Sequence, residues 1–137
     1  MKTKPMLTTA DVRAVVDAAQ KYAVDHDWKV TISVVDDGGH LLGLLRLDGA
    51  APNTAMLSPG KAHTAALGCR ESRLYEESIN GGRTAYLSVA MGTMLEGGVP
   101  IVVKGQTVGA VGVSGVKSAQ DAEVARAGIA ALGNAID

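Results

Sequence analysis

Residues 97–115 constrain the fold of this chain more than any other part of the sequence. Residues 99–103 are a short apolar run, and residues 107–113 are rich in β-branched side chains. Between them, the polar turn 104–106 contains a glycine that can adopt a positive φ angle. We therefore predict a β-hairpin. Because glycines within strands mark bulges or close approaches, we expect a ligand or another stretch of backbone to lie against it.

A second hairpin is predicted earlier in the chain. Residues 29–35 alternate apolar and polar side chains with the period of a strand. The Asp-Asp-Gly-Gly sequence at residues 36–39 is a strong turn signal, and residues 40–47 form the returning strand. Because hairpins pair their strands antiparallel, the chain is expected to contain an antiparallel sheet.

Helices are predicted before the first hairpin and between the two hairpins. Thr8 and Asp11 have the spacing of a capping box ahead of an apolar stripe of helical period. Ser58 and Pro59 are typical of an N-cap and a first helical position. The charged residues 70–78 are expected to form a short exposed helix.

The rest of the chain completes one domain. Residues 84–95 fit a helical or irregular segment packed on the sheet. Ser118 and Asp121 have N-cap spacing and start a C-terminal helix. The order helix, hairpin, helices, hairpin, helix predicts a single α+β domain over residues 1–137.

Composition argues against several classes of function. A formal net charge of -1 argues against nucleic-acid binding, which needs a basic face. No uninterrupted apolar run is long enough to span a membrane, and no secretory signal is recognised. Cys69 is the single cysteine, so we expect no intramolecular disulfide and a reducing, cytoplasmic location. Because aromatic residues make up only 3% of the chain, part of the apolar surface is expected to be buried between subunits.

Two side chains are candidate proton-transfer groups. His40 lies beside the turn at residues 36–39, and an imidazole titrates near neutral pH. Lys61 is assigned to the first turn of a helix, where a cation opposes the helix dipole and is suited to an acidic ligand. A packing histidine and an exposed lysine are the alternatives.

Other residues are candidates for contacting a small ligand. The glycine-rich strand ahead of a capped helix suits an anion, although its spacing matches neither the dinucleotide fingerprint nor a P-loop, and tight packing is the alternative. A nucleophilic serine is not predicted here, because the glycine spacing is displaced by one residue. No histidine has a recognised metal-ligand spacing, so no metal site is predicted. The candidate ligand-binding residues are Asp36, Arg46, His63, Gly97, Gly98 and Ser114.

Four blocks of sequence together resemble the haem-binding-protein/glycolate-operon-G family, which also includes the C-terminal domain of a propanediol-utilisation corrinoid adenosyltransferase. The blocks are residues 34–41, 61–65, 97–101 and 108–115, with Asp121 downstream. The resemblance covers roughly residues 8–136. It is specific for the family and not for an activity.

The resemblance implies a profilin-like fold, a five-stranded antiparallel sheet with helices on both faces. Its fifth strand is then expected between residues 51 and 95. Members are commonly homo-oligomers, which implies a dimer, or a tetramer or octamer built from dimers. Some members bind haem or corrinoids. The haem ligand of some members is a histidine outside the shared blocks, for which His26 is the candidate here.

Two functional hypotheses follow from the residues and the resemblance. In the first, a pocket between Gly97, Gly98, Lys61 and His40 holds haem, a corrinoid or a small acidic metabolite within a catabolic pathway. In the alternative, the same pocket is that of an enzyme performing acid–base chemistry, such as isomerisation, hydration or a lyase reaction, on a small carboxylated metabolite.

Overall fold

A computed structural model describes residues 1–133 and confirms the α+β class. Both predicted hairpins are present, as β1–β2 and β3–β4. A 3-10 turn at Thr84–Ser88 lies between α3 and β3. The helices and strands are, in chain order, α1 (Thr9–Asp25), β1 (Thr31–Asp36), β2 (Leu41–Arg46), α2 (Thr54–Gly68), α3 (Arg73–Asn80), β3 (Gly98–Val103), β4 (Gln106–Ser114) and α4 (Ser118–Ala130).

The strands form one antiparallel sheet in the order β2-β1-β4-β3. The centre of the sheet is the β1–β4 pair, in which Ile32 lies opposite Val113. Within residues 1–133 the sheet has four strands, so the expectation of a fifth strand is wrong.

In the stretch where the fifth strand was expected, backbone groups form hydrogen bonds with α2. Residues 91–95 lie along α2, where the Thr93 amide donates to the Gly60 carbonyl and the Thr64 hydroxyl contacts the carbonyls of Met91 and Thr93. Because these groups bond to a helix and its side chains, they are not paired with a strand edge.

Helices cover both faces of the sheet, as predicted. α1 and α4 pack together over one face, where Val30, Ile32 and Val34 of the first hairpin point into the larger core. α2 covers the other face, where Thr31 and Ser33 contact it through their hydroxyl groups. The smaller core beneath α2 consists of Val35, Ala62, Ala65, Ala66 and Ala110.

The start of α1 is confirmed, whereas the start of α2 is not where the sequence predicts it. The Thr8 hydroxyl accepts from the Asp11 amide, and the Asp11 carboxylate accepts from the Thr8 amide, which completes a capping box. α2 begins at Thr54, so Pro59 lies inside it. Ser58 does not cap, because its hydroxyl lies 2.7 Å from that of Ser33 and donates to the Gly112 carbonyl.

The remaining helices also differ in detail from the prediction. α3 begins at Arg73, and its Tyr75 side chain is buried, so the helix is only partly exposed. α4 begins at Ser118 with Lys117 as the cap residue. None of the helices in residues 1–133 combines the length and apolar character needed to cross a lipid bilayer.

Candidate functional site

Lys61 lies in the middle of α2 and not in a first turn, and its side chain is buried. The ammonium group lies 3.1 Å from Asp121 Oδ2 and donates to the Val113 carbonyl at 3.0 Å. Asp121 Oδ1 accepts from the Val116 amide. The Lys61 and Asp121 side chains are 3% and 2% exposed. The pair therefore links α2 to the end of β4 and the first turn of α4.

The electrostatics of Asp121 follow from this burial. Removal from water raises the pKa of the Asp121 carboxyl, because it disfavours the charged form. The Lys61 charge and the Val116 amide act in the opposite direction without cancelling the rise. Neither partner of the pair is open to a ligand, so the geometry favours an internal link over a proton-transfer site.

The glycines predicted to admit a ligand instead admit α2. A Cβ atom on Gly98 would overlap the Lys61 carbonyl oxygen, and one on Gly112 would overlap the Ser58 carbonyl oxygen. Gly97 has a φ of 133°, and a Cβ there would lie 2.9 Å from the Lys61 ammonium nitrogen. The missing side chains allow the backbone of α2 to rest directly on β3 and β4.

Two serines beside these glycines are also internal. Ser114 is buried at the end of β4, opposite Thr31. The Ser72 hydroxyl accepts from the Gly98 amide at 2.8 Å and donates to the Leu95 carbonyl at 2.6 Å. Sequence reasoning missed Ser72, because nothing local to it indicates a partner 26 residues away.

The other candidates gather at the β1–β2 turn. The Asp36 carboxylate accepts from the amides of Gly38 and His40, both at 2.9 Å. His63 reaches the same turn from α2, where its Nδ1 lies 3.0 Å from the Gly39 carbonyl oxygen. The structure therefore brings Asp36, His40 and His63 to one turn, with the His40 side chain exposed.

The turn and the buried lysine lie at opposite ends of β1. Lys61 bonds to the carbonyl of Val113, which pairs with Ile32 near the start of β1, whereas His40 follows the strand's end at Asp36. Four residues of strand separate the two positions, a rise of roughly 13 Å. Within residues 1–133, Lys61 and His40 therefore lie too far apart to contact one small metabolite together.

Arg46 belongs to a different feature, a groove between α1 and β2 that we call the α1–β2 groove. One half has a volume of about 400 Å³ and a largely apolar lining that includes Leu7, Val12, Val16 and Leu42. The other half, about 360 Å³, is lined by Trp28 and by charged side chains of both signs, Lys29 and Arg46 with Asp27 and Asp48. Leu45 lines both halves, so the two cavities adjoin.

His26 lies next to the polar half of this groove. Its ring stacks on Tyr22 and Trp28, with centroid distances of 4.3 and 4.6 Å. Its Nδ1 lies 2.7 Å from the Tyr22 carbonyl oxygen. Because a carbonyl only accepts, a neutral His26 that makes this bond carries its proton on Nδ1 and has a lone pair on Nε2 for a metal or a donor. Trp28 is shared, since it lines the groove and supports His26.

Sequence reasoning also missed Trp28 and Lys29 as site residues. Their position after the end of α1 indicates only a loop, and the groove depends on where β2 lies relative to α1. Within residues 1–133, no cluster of three or more His, Cys, Asp or Glu side chains is arranged to hold a metal ion.

Comparison with known proteins agrees with this fold. A family model described as haem degrading protein HbpS-like matches residues 7–130. Protein GlcG of Escherichia coli K12 is 54% identical over 114 residues, covering 83% of this chain and 85% of that protein.

Two solved structures extend the comparison. A double mutant of Streptomyces reticuli HbpS has a TM-score of 0.89 at 30% identity, covering 98% of this chain and 92% of that chain. A PduOC:heme complex has a TM-score of 0.85 at 25% identity, covering 94% and 96%. By its sequence and its fold, the chain belongs to the HbpS-like family.

Proposed function

We propose that this protein binds a tetrapyrrole, with haem as the first candidate, in the α1–β2 groove. The observation that carries the proposal is the division of the groove into an apolar half and a half that contains Lys29 and Arg46. The apolar half suits a macrocycle, and Arg46, whose Nε donates to the Ala50 carbonyl, keeps further guanidinium donors for a carboxylate side chain of that macrocycle. The family description and the haem-bound relative support this choice of ligand.

His26 is the proposed iron ligand. The bond from Nδ1 to the Tyr22 carbonyl fixes the tautomer that leaves Nε2 free, as in metal-ligating histidines generally. Stacking between Tyr22 and Trp28 restricts the ring's rotation, so little freedom is lost on binding. A corrinoid or a small acidic metabolite, a catabolic pathway and a cytoplasmic location stay predictions.

The enzyme hypothesis has less support from the geometry. Lys61 is buried against Asp121 and lies at the opposite end of β1 from His40. A general base must reach the proton that it abstracts, and the Lys61 side chain is only 3% exposed.

Titration with haem, followed by absorption spectroscopy, tests the proposal. We expect the Soret band of haem to shift on binding to the wild-type protein, and the titration to saturate at one haem per chain. His26→Ala should change the ligand-dependent bands, and Arg46→Gln should raise the Kd by about tenfold, the loss of one charge-assisted hydrogen bond.

His40→Ala is the matched control, because His40 is also an exposed histidine but lies at the β1–β2 turn. It should bind haem as the wild type does. An unshifted Soret band with the wild-type protein would exclude haem. Loss of the ligand bands in His40→Ala but not in His26→Ala would show that His26 is the wrong ligand.

A further inference from the structure

A separate cavity, which we call the β3–α4 cavity, lies between β3 and α4. Its volume is about 420 Å³, which is within the range of small-molecule sites. β3 and β2 are the two opposite edge strands of the sheet, so this cavity and the α1–β2 groove are different sites. The lining residues are Glu71, Val99, Pro100, Arg126, Ile129 and Ala130.

Most of the lining is apolar. Val99 and Ile129 belong to the larger core, and each is 9% exposed. Pro100 and Ala130 add apolar surface beside them. Because none of these four side chains is polar, an aliphatic group of a ligand can be buried against them without displacing a polar group.

One pair of opposite charges borders this apolar surface. The Arg126 and Glu71 side chains are 49% and 25% exposed, and Arg126 Nη2 donates to Glu71 Oε1. A guanidinium has five N–H donors, and within residues 1–133 Arg126 uses one of them. Glu71 Oε2 lies 3.7 Å from Arg73, whose closer partner is Glu77 at 2.6 Å. The pair therefore keeps both free donors and a weakly held carboxylate oxygen.

The edge of β3 supplies one further acceptor. The amide and the carbonyl of Gly98 both bond to Ser72, so they face away from β4. Alternate residues of an antiparallel strand turn their backbone groups the same way, so the Pro100 carbonyl also faces away from β4. Proline has no N–H, so the edge offers an acceptor and no donor at this residue. Within residues 1–133, no backbone amide of another element donates to this carbonyl.

We propose that the β3–α4 cavity binds a small zwitterion with an aliphatic body, the class to which the aliphatic α-amino acids belong. The ligand's carboxylate accepts from the free donors of Arg126. Its ammonium group donates to Glu71 Oε2 and to the Pro100 carbonyl. Its alkyl group packs against Val99 and Ile129.

The two charges at the cavity favour a zwitterion over a simple acid or a simple amine. A carboxylate without an ammonium group is attracted by Arg126 but repelled by Glu71, and the reverse holds for an amine. A ligand with both charges meets an opposite charge at each. This proposal does not depend on haem binding, because the α1–β2 groove shares no lining residue with the cavity.

Titration of isotope-labelled protein with L-leucine, followed by two-dimensional NMR, tests the proposal on the wild type. We expect saturable shifts at the amides of Glu71, Val99 and Ile129. Isocaproate and isopentylamine carry the same alkyl group with only one of the two charges, and each should bind at least about tenfold more weakly. No saturable shift with L-leucine would overturn the site. Equal affinity for L-leucine and either analogue would overturn the choice of a zwitterion.

Matched variants locate the binding groups. Arg126→Gln and Glu71→Gln each remove one charge from a partly exposed side chain, and each should raise the Kd for L-leucine by about tenfold. Arg83→Gln is the control, because Arg83 is also exposed but stacks on Tyr86 and does not line the cavity. It should bind as the wild type does. An unchanged Kd in Arg126→Gln, or an equal rise in Arg83→Gln, would contradict the assignment.

Discussion

At the residue scale, Lys61 and Asp121 form a buried ion pair in which each charge depends on the other. The ammonium group contacts the Asp121 carboxylate and the Val113 carbonyl, and almost none of its surface is exposed. Removal of two charges from water costs several kcal/mol per ion, which only their mutual attraction and hydrogen bonds offset. Each partner is therefore tolerated in the interior because the other is present.

We predict that Lys61 and Asp121 are strongly coupled. Lys61→Met and Asp121→Leu should each lower the free energy of unfolding by about 3–5 kcal/mol, because each leaves a buried charge without its partner. The double variant should lose clearly less than the sum, as measured by urea denaturation. Additive losses would contradict the coupling. The exposed Lys21–Asp25 pair is the control, and its removal should change stability little.

A second prediction concerns the pH dependence of stability, and it follows from the raised pKa of Asp121. Consider the pH interval between 3.8, the ordinary pKa of an aspartate, and the raised pKa of native Asp121. In this interval the native carboxyl still holds a proton that the unfolded carboxyl has lost. Bound protons then favour the native state, so this group's contribution to stability falls as pH rises through the interval. We expect the wild type to lose stability over that interval relative to the Lys61→Met, Asp121→Leu double variant. Carboxyl NMR that places the native pKa below 3.8 would refute this.

At the scale of elements, the packing of α2 on the sheet depends on glycines in the strands. Gly98 of β3 and Gly112 of β4 face backbone atoms of α2, and the Ala62 methyl group also lies close to Gly112. Alanines of α2 fill the adjoining small core. The glycine-rich hairpin is therefore explained by a close approach of helix to sheet, which the sequence indicated without identifying the partner.

We predict that Gly112→Ala is strongly destabilising. Its Cβ would overlap the Ser58 carbonyl oxygen and crowd the Ala62 amide, so α2 must move away from the sheet. Overpacking of this kind costs about 1–3 kcal/mol, and the rigid backbone on both sides places this site at the upper end. Gly105→Ala is the control, since a Cβ there meets nothing within 4 Å and only the φ of 77° is strained, at about 1–2 kcal/mol. Equal thermal stability of the two variants would refute the packing argument.

At the scale of the whole molecule, each face of the sheet is covered, whereas the β2 edge is not. The α1–β2 groove lies beside this edge. A second cavity, the β3–α4 cavity of about 420 Å³, is lined by Val99, Pro100 and Arg126.

Local patterns along the chain were sufficient for much of the fold. Alternation predicted the first hairpin, and an apolar run and a β-branched run around a polar turn predicted the second. The Thr8–Asp11 spacing predicted the start of α1. These signals depend on residues within a few positions of one another. Family membership was also evident from short blocks of sequence. The start of α2 was missed since the Ser58 hydroxyl bonds across to the sheet and not to its own helix.

The candidate site depended on contacts that local patterns do not contain. Asp121 lies 60 residues from Lys61 along the chain, and the partners of Gly98 and Gly112 belong to a helix in another segment. The separation of His40 from Lys61, and the groove beside Trp28 and Arg46, follow from the strand order. Periodicity tells which face of an element is buried, but the residue it meets there is set by how the helices and strands pack together.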